Sequence, residues 1–339
     1  MATLFVPSVP LVDQFSGTRS VCGARLRRNH GADGAARARS VRSHRARGRA
    51  ASTELNMIGN FKIPFISKDG PPPPPLYFDV GYAFLAHPEK QTGEDAFYIE
   101  GNSVGVFDGV GGAAVNGVDP RLYSQNLALL TLNNVQENGV KLSVKSLIDA
   151  AEANTLVGAS TACVVGMEES GRMNGINLGD SGVRIVRDGK LMWRTKEQQH
   201  FFNCPYQLGS DSSDSVQMGQ NVNQRVRKGD WVIVATDGLF DNVFDDDIVS
   251  IVSEFGDDGS PTELAEKLAA FAVQNAKNPT TDVPFAVASR KAGQDHQGGK
   301  LDDVTVLCCR VTDDSVEPLS LVSVLEEDAA AMETADASG

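Results

Sequence analysis

Acidic side chains stand beside strand-like apolar runs at several widely separated points of this 339-residue sequence. Asp108 follows VGVF, Asp237 follows WVIVAT, and Asp302 lies just ahead of VTVLCC. If these strand ends meet, their carboxylates converge, and two carboxylates about 4 Å apart repel by roughly 4 kcal/mol at an effective dielectric of about 20. No run of lysine or arginine lies nearby to balance them, and hard divalent cations prefer oxygen ligands. The pattern therefore predicts a site for divalent cations.

A single Asp-Gly pair is ordinarily no more than a turn, so each acidic position taken alone is weak evidence. What favours a site is the repetition of acidic residues beside glycine turns at the ends of strand-like runs. The full set comprises Glu94, Asp95, Asp108, Asp180, Asp237, Asp241, Asp302 and Asp303.

The elements that must position these residues occur in blocks of strands and blocks of helices. Strand-like runs are 77–87, 95–101, 103–109, Ala159–Met167, Arg172–Leu178, Gly182–Arg187, Lys190–Arg194, Val226–Thr236 and Val304–Val311. Helical periodicity covers Arg121–Glu137, Leu142–Leu156, Asp245–Phe255 and Pro261–Lys277. The Asp188-Gly189 pair predicts a type I′ hairpin, and Glu197–Gln224 is expected to be a long polar loop. Blocks rather than strict alternation indicate an α+β sandwich.

The two ends of the chain differ in composition from the body. Residues 1–55 hold ten arginines, no lysine and three acids, which is typical of an organelle transit peptide. A disordered basic arm and a nucleic-acid patch are the alternatives. A Pro-rich linker at 56–75, including the stiff run Pro71–Pro75, then precedes a folded domain expected at 76–312. Residues 313–339 carry eight acids and no base, and we expect a disordered acidic tail.

Bulk properties exclude several function classes. The net charge is −13 and the body is acidic, which argues against nucleic acid as the main partner because phosphate backbones need a basic face. No run reaches the 18 or so apolar residues of a membrane helix. The five cysteines lack C-x-x-C spacing, which argues against a zinc site or a disulfide scaffold and favours free thiols.

Six motifs in order carry a family resemblance: GEDA, VFDGVGG, GASTACVV, NLGDSG, ATDGLFDN and KLDDVTV. From about Tyr77 to Val311 the sequence resembles the type 2C (PPM class) metal-dependent serine/threonine protein phosphatases. The strings HFFNCPYQL, DGLFDNVFDDDIVSIV and GGKLDDVTV resemble the plant and algal chloroplast branch typified by the photosystem II core phosphatase. The family resemblance implies a four-layer α-β-β-α sandwich, with two central, mostly antiparallel sheets flanked by helices.

The resemblance also implies a ligand set for two Mg²⁺ or Mn²⁺ ions. Asp108 would bridge the ions, the carbonyl of Gly109 and Glu94 would complete one of them, and Asp237 and Asp302 would hold the other. Asp108, Asp237 and Asp302 would then act in catalysis through a metal-bound water that attacks phosphorus in line. No protein nucleophile and no phosphoenzyme are expected.

The resemblance also implies a third, weaker ion at Asp180 and Asp241. Two positions of this sequence depart from the family pattern. Val110 stands where many members have a histidine that can protonate the leaving group. His200 is the histidine we nominate for that role, although a lone loop histidine is more often inert. Lys90 replaces the phosphate-binding arginine and keeps its charge but loses the bidentate geometry.

The sequence thus leads to the hypothesis of a phosphoserine/phosphothreonine protein phosphatase that needs Mg²⁺ or Mn²⁺. It would be a monomer, imported into the chloroplast or alternatively the mitochondrion, and would act on phosphoproteins at the thylakoid surface, including the photosystem II core. The alternatives are a catalytically weak pseudophosphatase that binds phosphoproteins or a regulatory partner, and a hydrolase of small phosphate esters.

Overall fold

The computed structural model describes residues 73–90, 92–110, 119–256 and 258–323. Within them the strands are β1 (Tyr77–Leu85), β2 (Ala96–Glu100), β3 (Ser103–Phe107), β4 (Ala159–Ser160), β5 (Ala162–Met167), β6 (Arg172–Leu178), β7 (Gly182–Arg187), β8 (Lys190–Arg194), β9 (Gln199–Phe201), β10 (Cys204–Pro205), β11 (Leu208–Gly209), β12 (Gln220–Arg225), β13 (Trp231–Ala235), β14 (Val304–Thr312) and β15 (Ser320–Val322). The α-helices are α1 (Pro120–Asn138), α2 (Ser143–Ala153), α3 (Asp237–Phe240), α4 (Asp245–Phe255), α5 (Pro261–Ala276) and α6 (Pro284–Lys291).

Two large sheets form the centre of the fold. One has the strand order β1-β14-β13-β7-β8 and the other β12-β6-β5-β3-β2-β15. Every neighbouring pair in both sheets is antiparallel. Because an antiparallel ladder sets the end of one strand beside the start of its neighbour, loops from several strands share one sheet edge.

Three apolar cores hold the layers together and confirm the predicted four-layer sandwich. Side chains such as Val106 and Val234 fill the space between the two sheets. On the outer face of the five-stranded sheet, Leu264 of α5 packs within the core that contains strand and α4 residues. On the outer face of the six-stranded sheet, Leu127 of α1 and Leu147 of α2 are completely buried. Each sheet is therefore covered on both faces.

Local signals in the sequence explain where the helices and the hairpin begin. The Asp119 side chain accepts a hydrogen bond from the Arg121 N–H at 3.0 Å, and Pro120 fills the first turn of α1. The β7–β8 hairpin has positive φ at Asp188 (50°) and Gly189 (67°), as a type I′ turn requires. Among the helices of the described ranges, none combines the length and hydropathy needed to cross a bilayer.

Several elements differ from the sequence-based expectation. The predicted loop Glu197–Gln224 contains three short strands, β9 to β11, and most of β12. Helices α3 and α6 were not predicted. Residues 320–322, inside the expected tail, form β15, whose Leu321 pairs with Ile99 of β2. The six-stranded sheet thus extends beyond the expected domain end at residue 312, because the edge of β2 offers free backbone groups for pairing.

The cysteines divide into two groups. Cys163, Cys308 and Cys309 are buried free thiols, as predicted. Cys204 is buried but disulfide-bonded, so the prediction of a free thiol was wrong there. Cys22 lies outside the described residues.

Candidate metal centre

Strand register brings the acidic turns of the five-stranded sheet together. Ala235, the last residue of β13, pairs with Val306 of β14 on one side and with Gly182, the first residue of β7, on the other. Asp237 follows β13 by two residues, Asp302 precedes β14 by two, and Asp180 precedes β7 by two. All three therefore leave the sheet at the same edge.

The six-stranded sheet delivers its own acidic residues in the same way. Ala96 at the start of β2 pairs with Phe107 at the end of β3, so Glu94 and Asp108 lie on adjacent turns. The Asp108 N–H donates to the Thr161 hydroxyl at 3.2 Å, and the Thr161 hydroxyl also bonds with the Ser181 hydroxyl at 2.9 Å. Thr161 thereby ties the Asp108 turn to the turn that carries Asp180.

Three carboxylates from these turns converge. One oxygen each of Asp108, Asp180 and Asp237 lies within 4.8 Å of the others. Two unit charges about 5 Å apart repel by roughly 3 kcal/mol at an effective dielectric of about 20. Burial and the neighbouring Asp237 carboxylate raise the pKa of both Asp108 and Asp180 well above the ordinary value. Without a cation, part of this cluster therefore favours the protonated form.

The cluster fits a hard divalent cation. The gathered ligand atoms are carboxylate oxygens, the donors that Mg²⁺ and Mn²⁺ prefer, with no histidine or cysteine among them. The buried Oδ1 of Asp180 has no hydrogen-bond partner in the described part of the protein. A buried acceptor left unpaired in this way is costly unless something else satisfies it, and a cation among the three carboxylates would do so.

Lys300, which was not among the predicted site residues, also lies in the cluster. The Lys300 ammonium lies 2.5 Å from Asp237 Oδ2, 2.7 Å from Asp241 Oδ2 and 3.1 Å from Asp302 Oδ2. Burial alone would lower the pKa of Lys300, but these three carboxylates outweigh it and raise that pKa well above the ordinary value. The sequence has no basic run near these acids, as stated above, but the single residue Lys300 supplies positive charge among them.

Glu94 is held by its backbone and by a neighbouring lysine. The Glu94 N–H donates to Asp303 Oδ2 at 2.8 Å, and Asp303 Oδ1 accepts the His87 N–H at 2.6 Å. Lys90 Nζ lies 2.7 Å from Glu94 Oε2 and 3.7 Å from Asp303 Oδ2. A Cβ on Gly109 would stand 2.5 Å from the Glu94 carbonyl oxygen, so only glycine allows the two turns to pack this closely.

Asp95 links the two sheets beneath the cluster. Its Oδ2 accepts the hydroxyl hydrogens of Thr236 at 2.8 Å and Thr305 at 2.7 Å. Burial and the Asp303 carboxylate raise the pKa of Asp95, while the two threonine hydrogen bonds oppose that shift. Because Thr236 immediately precedes Asp237, this network fixes the turn that presents Asp237.

The segment with His200 lies next to the cluster through its neighbour. The Gln199 amide donates to Asp180 Oδ2 at 3.3 Å, and Gln199 had not been predicted to take part. His200 Nε2 lies 2.9 Å from Asp214 Oδ2, and its ring centroid is 4.4 Å from that of Tyr206. The described contacts of the His200 ring thus join it to its own loop.

The fold is shared with structurally characterised protein phosphatases. The photosystem II phosphatase PBCP superposes with a TM-score of 0.65 at 30% identity, over 70% of this chain and 100% of that one. The catalytic domain of the serine threonine protein phosphatase PstP, solved with two manganese ions, shows the same fold with a TM-score of 0.52 at 18% identity. The match covers 70% of this chain and 99% of that one.

Sequence comparison identifies the family. Residues 220–280 match the model for Protein phosphatase 2C. Probable protein phosphatase 2C 26 of Arabidopsis thaliana is 36% identical over 256 residues, which cover 70% of this chain and 85% of that protein. The chain belongs to the protein phosphatase 2C family. It spans 58% of Probable protein phosphatase 2C 80 and 51% of Probable protein phosphatase 2C 55, both of Arabidopsis thaliana, at 38% and 40% identity over 68% and 69% of this chain.

Proposed function

We propose that this protein is a metal-dependent phosphatase of phosphoserine and phosphothreonine in proteins. The observation that carries the proposal is the convergence of Asp108, Asp180 and Asp237 within 4.8 Å, with an unpaired buried oxygen on Asp180. Membership of the protein phosphatase 2C family supports the same reaction.

We assign two ions to Glu94, Asp108, the Gly109 carbonyl, Asp237 and Asp302, and a third to Asp180 and Asp241. Mg²⁺ or Mn²⁺ held there supplies positive charge for the phosphoryl oxygens and lowers the pKa of an attacking water. The contribution of the protein is to hold these residues in place. Asp303 accepts a hydrogen bond from the backbone of Glu94. Asp95 accepts one from Thr236, which immediately precedes Asp237.

Chelation and one ligand variant test this proposal. Phosphopeptide turnover in Mn²⁺ should fall by about 100-fold or more in EDTA, return with added Mn²⁺, and stay equally low in Asp237→Ala. The assay compares initial rates on a phosphopeptide and a small phosphate ester. A protein that binds the phosphopeptide without turning it over would instead be a pseudophosphatase, and equal rates on both compounds would indicate a small-ester hydrolase.

Lys90 is proposed to bind the substrate phosphate. Its side chain is 34% exposed beside Glu94, so it places positive charge at the accessible rim of the cluster. Lys90→Met should raise KM about 10-fold, as expected for a lost charge-assisted hydrogen bond, with kcat nearly unchanged. Lys90→Arg should keep KM within a few-fold of the wild type. A fall in kcat at constant KM would contradict phosphate binding and show that Lys90 acts through Glu94.

His200 remains the proposed general acid, given that Val110 follows the Asp108-Gly109 turn where a histidine could stand. Support comes from its position on β9, next to Gln199, whose amide reaches Asp180. To donate a proton to the leaving serine or threonine oxygen, the His200 ring must leave Asp214, to which its Nε2 is hydrogen-bonded.

The proposal also covers the domain organisation of the protein, its location in the cell and its substrates. We propose residues 1–55 as an organelle transit peptide, 56–75 as a linker, 76–312 as the catalytic domain and 313–339 as an acidic segment whose residues 320–322 add an edge strand to that domain. Residues 1–72 and 324–339 lie outside the described ranges. Similarity to the photosystem II phosphatase PBCP supports a chloroplast location rather than a mitochondrial one. We further propose that the enzyme is a monomer and that its substrates are phosphoproteins of the thylakoid surface, including the photosystem II core.

A further inference from the structure

Lys300 is fixed in the acidic cluster by its backbone as well as by its charge. The Lys300 N–H donates to Asn242 Oδ1 at 2.9 Å, and the Asn242 amide donates back to the Lys300 carbonyl at 2.9 Å. Asn242 directly follows Asp241, so the lysine is tied to the segment that carries two of its partner carboxylates. Its side chain is only 18% exposed.

The ammonium occupies positions that a metal ion would need. It contacts Oδ2 of Asp237 and Oδ2 of Asp302, the two side chains assigned to one ion under the proposed function. A lysine ammonium has three donors and no acceptor, so it satisfies carboxylates as a cation does, and two cations repel at such a distance. The lysine and the ion therefore compete for the same oxygens.

We propose that Lys300 is a built-in competitor of the metal ions: its ammonium balances the acidic cluster in the metal-free protein and releases Asp237 and Asp302 when ions bind. This inference rests on the proposed function, because it assumes that these two carboxylates are metal ligands. Lys300 would then set the affinity of the site for metal through the carboxylates of Asp237 and Asp302, which it contacts.

Other partners remain for the lysine after it releases those two carboxylates. Asp241 Oδ2 lies 2.7 Å from the ammonium, and the ammonium lies 5.2 Å from the centre of the Phe285 ring, within the range of a cation–π contact. While the weaker third ion is not bound at Asp180 and Asp241, a shift of the ammonium toward Asp241 and Phe285 keeps the charge paired. The competition therefore weakens metal binding without excluding it, so that occupancy follows the free metal concentration.

Metal titration of the full chain tests the proposal without relying on turnover. Wild type and Lys300→Met, stripped with chelator, are titrated with Mn²⁺ by calorimetry, and their unfolding temperatures are measured with and without Mn²⁺. Lys300→Met should bind Mn²⁺ about tenfold more tightly or better, with the same number of ions. Its metal-free form should unfold at a lower temperature than the wild type, because the acids lose their counter-charge.

Two further variants secure the interpretation. Lys228→Met removes a lysine that pairs with the surface residue Asp313 and should leave Mn²⁺ affinity unchanged. Lys300→Gln removes the charge but keeps a polar side chain, and it should also bind Mn²⁺ more tightly than the wild type. It takes the place of Lys300→Met in the test if the methionine variant does not fold.

Each contrary outcome has a distinct meaning. Unchanged or weaker Mn²⁺ binding in the Lys300 variants, with normal binding by the wild type, would overturn the inference and leave the proposed function intact. An extra ion bound with unchanged affinity for the others would also overturn it, because Lys300 would then replace an ion rather than compete with one. Absence of Mn²⁺ binding in the wild type would instead refute the proposed function.

Discussion

Asp108→Asn is expected to lower kcat/KM for a phosphopeptide by about 10³-fold or more. The same substitution should make the metal-free protein more stable. The loss of activity follows from the central place of Asp108, which shares a 4.8 Å cluster with Asp180 and Asp237. An amide keeps the shape of the carboxylate but brings no negative charge to hold the ions.

The gain in stability follows from the charge of Asp108 in the folded state. Burial and the Asp237 carboxylate raise the pKa of Asp108, so the folded protein binds more protons than the unfolded chain between about pH 3.9 and that raised pKa. Stability contributed by the protonated form is therefore lost as pH rises across this window. The asparagine variant avoids the loss and should gain about 1 to 2 kcal/mol at pH 7.

Thermal unfolding against pH, in EDTA, checks this prediction. The advantage of Asp108→Asn should shrink on acidification and vanish below about pH 3.9, where the aspartate is neutral in both states. Added Mn²⁺ should raise the unfolding temperature of the wild type by mass action and leave the variant unchanged.

A buried aspartate outside the cluster provides the matched control. Asp230 is completely buried and forms two 2.6 Å hydrogen bonds with the Arg187 guanidinium. Asp230→Asn should destabilise the protein, because it weakens a charged pair instead of relieving repulsion. A metal-free Asp108→Asn protein that unfolds below the wild type would contradict the account of the acidic cluster.

The sequence predicted best those features that local chemistry determines. The bounds of β6, β7, β8 and α4 agree with the predicted ones, because regular periodicity and glycine turns mark them. The sequence predicted that Asp108, Asp237 and Asp302 converge, and the 4.8 Å cluster of the structure holds Asp108 and Asp237 together with Asp180, because antiparallel pairing brings these strand ends together. Local pattern and tertiary structure agree at these positions.

Features that depend on tertiary contacts were missed. Strand β12 reads QNVNQR and buries only Val222 deeply, so its pattern is that of a polar loop, and pairing with β6 makes it a strand. Helix α6 spans eight residues, too few for a clear periodic signal. Strand β15 forms because it pairs with the free edge of β2. Nothing in the sequence of residues 320–322 indicates this pairing.

Lys300 and Gln199 show the same limit within the site. The sequence places Lys300 two residues before Asp302 but does not tell that its ammonium reaches Asp237 and Asp241, which lie about 60 residues earlier. Gln199 lies in the stretch predicted to be a polar loop, and nothing in its sequence shows that its amide reaches Asp180, 19 residues earlier. Contacts of this kind depend on side-chain direction in the folded protein.

Gly238→Ala is expected to have the largest effect on folding among substitutions near the cluster. A Cβ at this position would stand 1.8 Å from the Asp303 carbonyl oxygen and 2.9 Å from the Asp303 carbonyl carbon. Both atoms are backbone, so no side-chain rotation can relieve the collision. Since Gly238 follows Asp237 and Asp303 follows Asp302, the two turns would have to separate, and the proposed metal ligands Asp237 and Asp302 would separate with them. We expect a loss of about 3 kcal/mol or more in the free energy of unfolding.

Denaturant unfolding of Gly238→Ala beside Gly139→Ala distinguishes this collision from the general cost of losing a glycine. Gly139 has a φ of 80° and a ψ of 159°, with nothing within 4 Å of an added Cβ, so its replacement costs only the strain of a backbone conformation that is nearly restricted to glycine, about 1 to 3 kcal/mol. If Gly238→Ala folds at low temperature, its Mn²⁺ affinity should fall together with its stability, because one displacement causes both. Equal losses of stability in the two variants would show that the Asp237 and Asp302 turns do not pack as closely as the 1.8 Å approach requires.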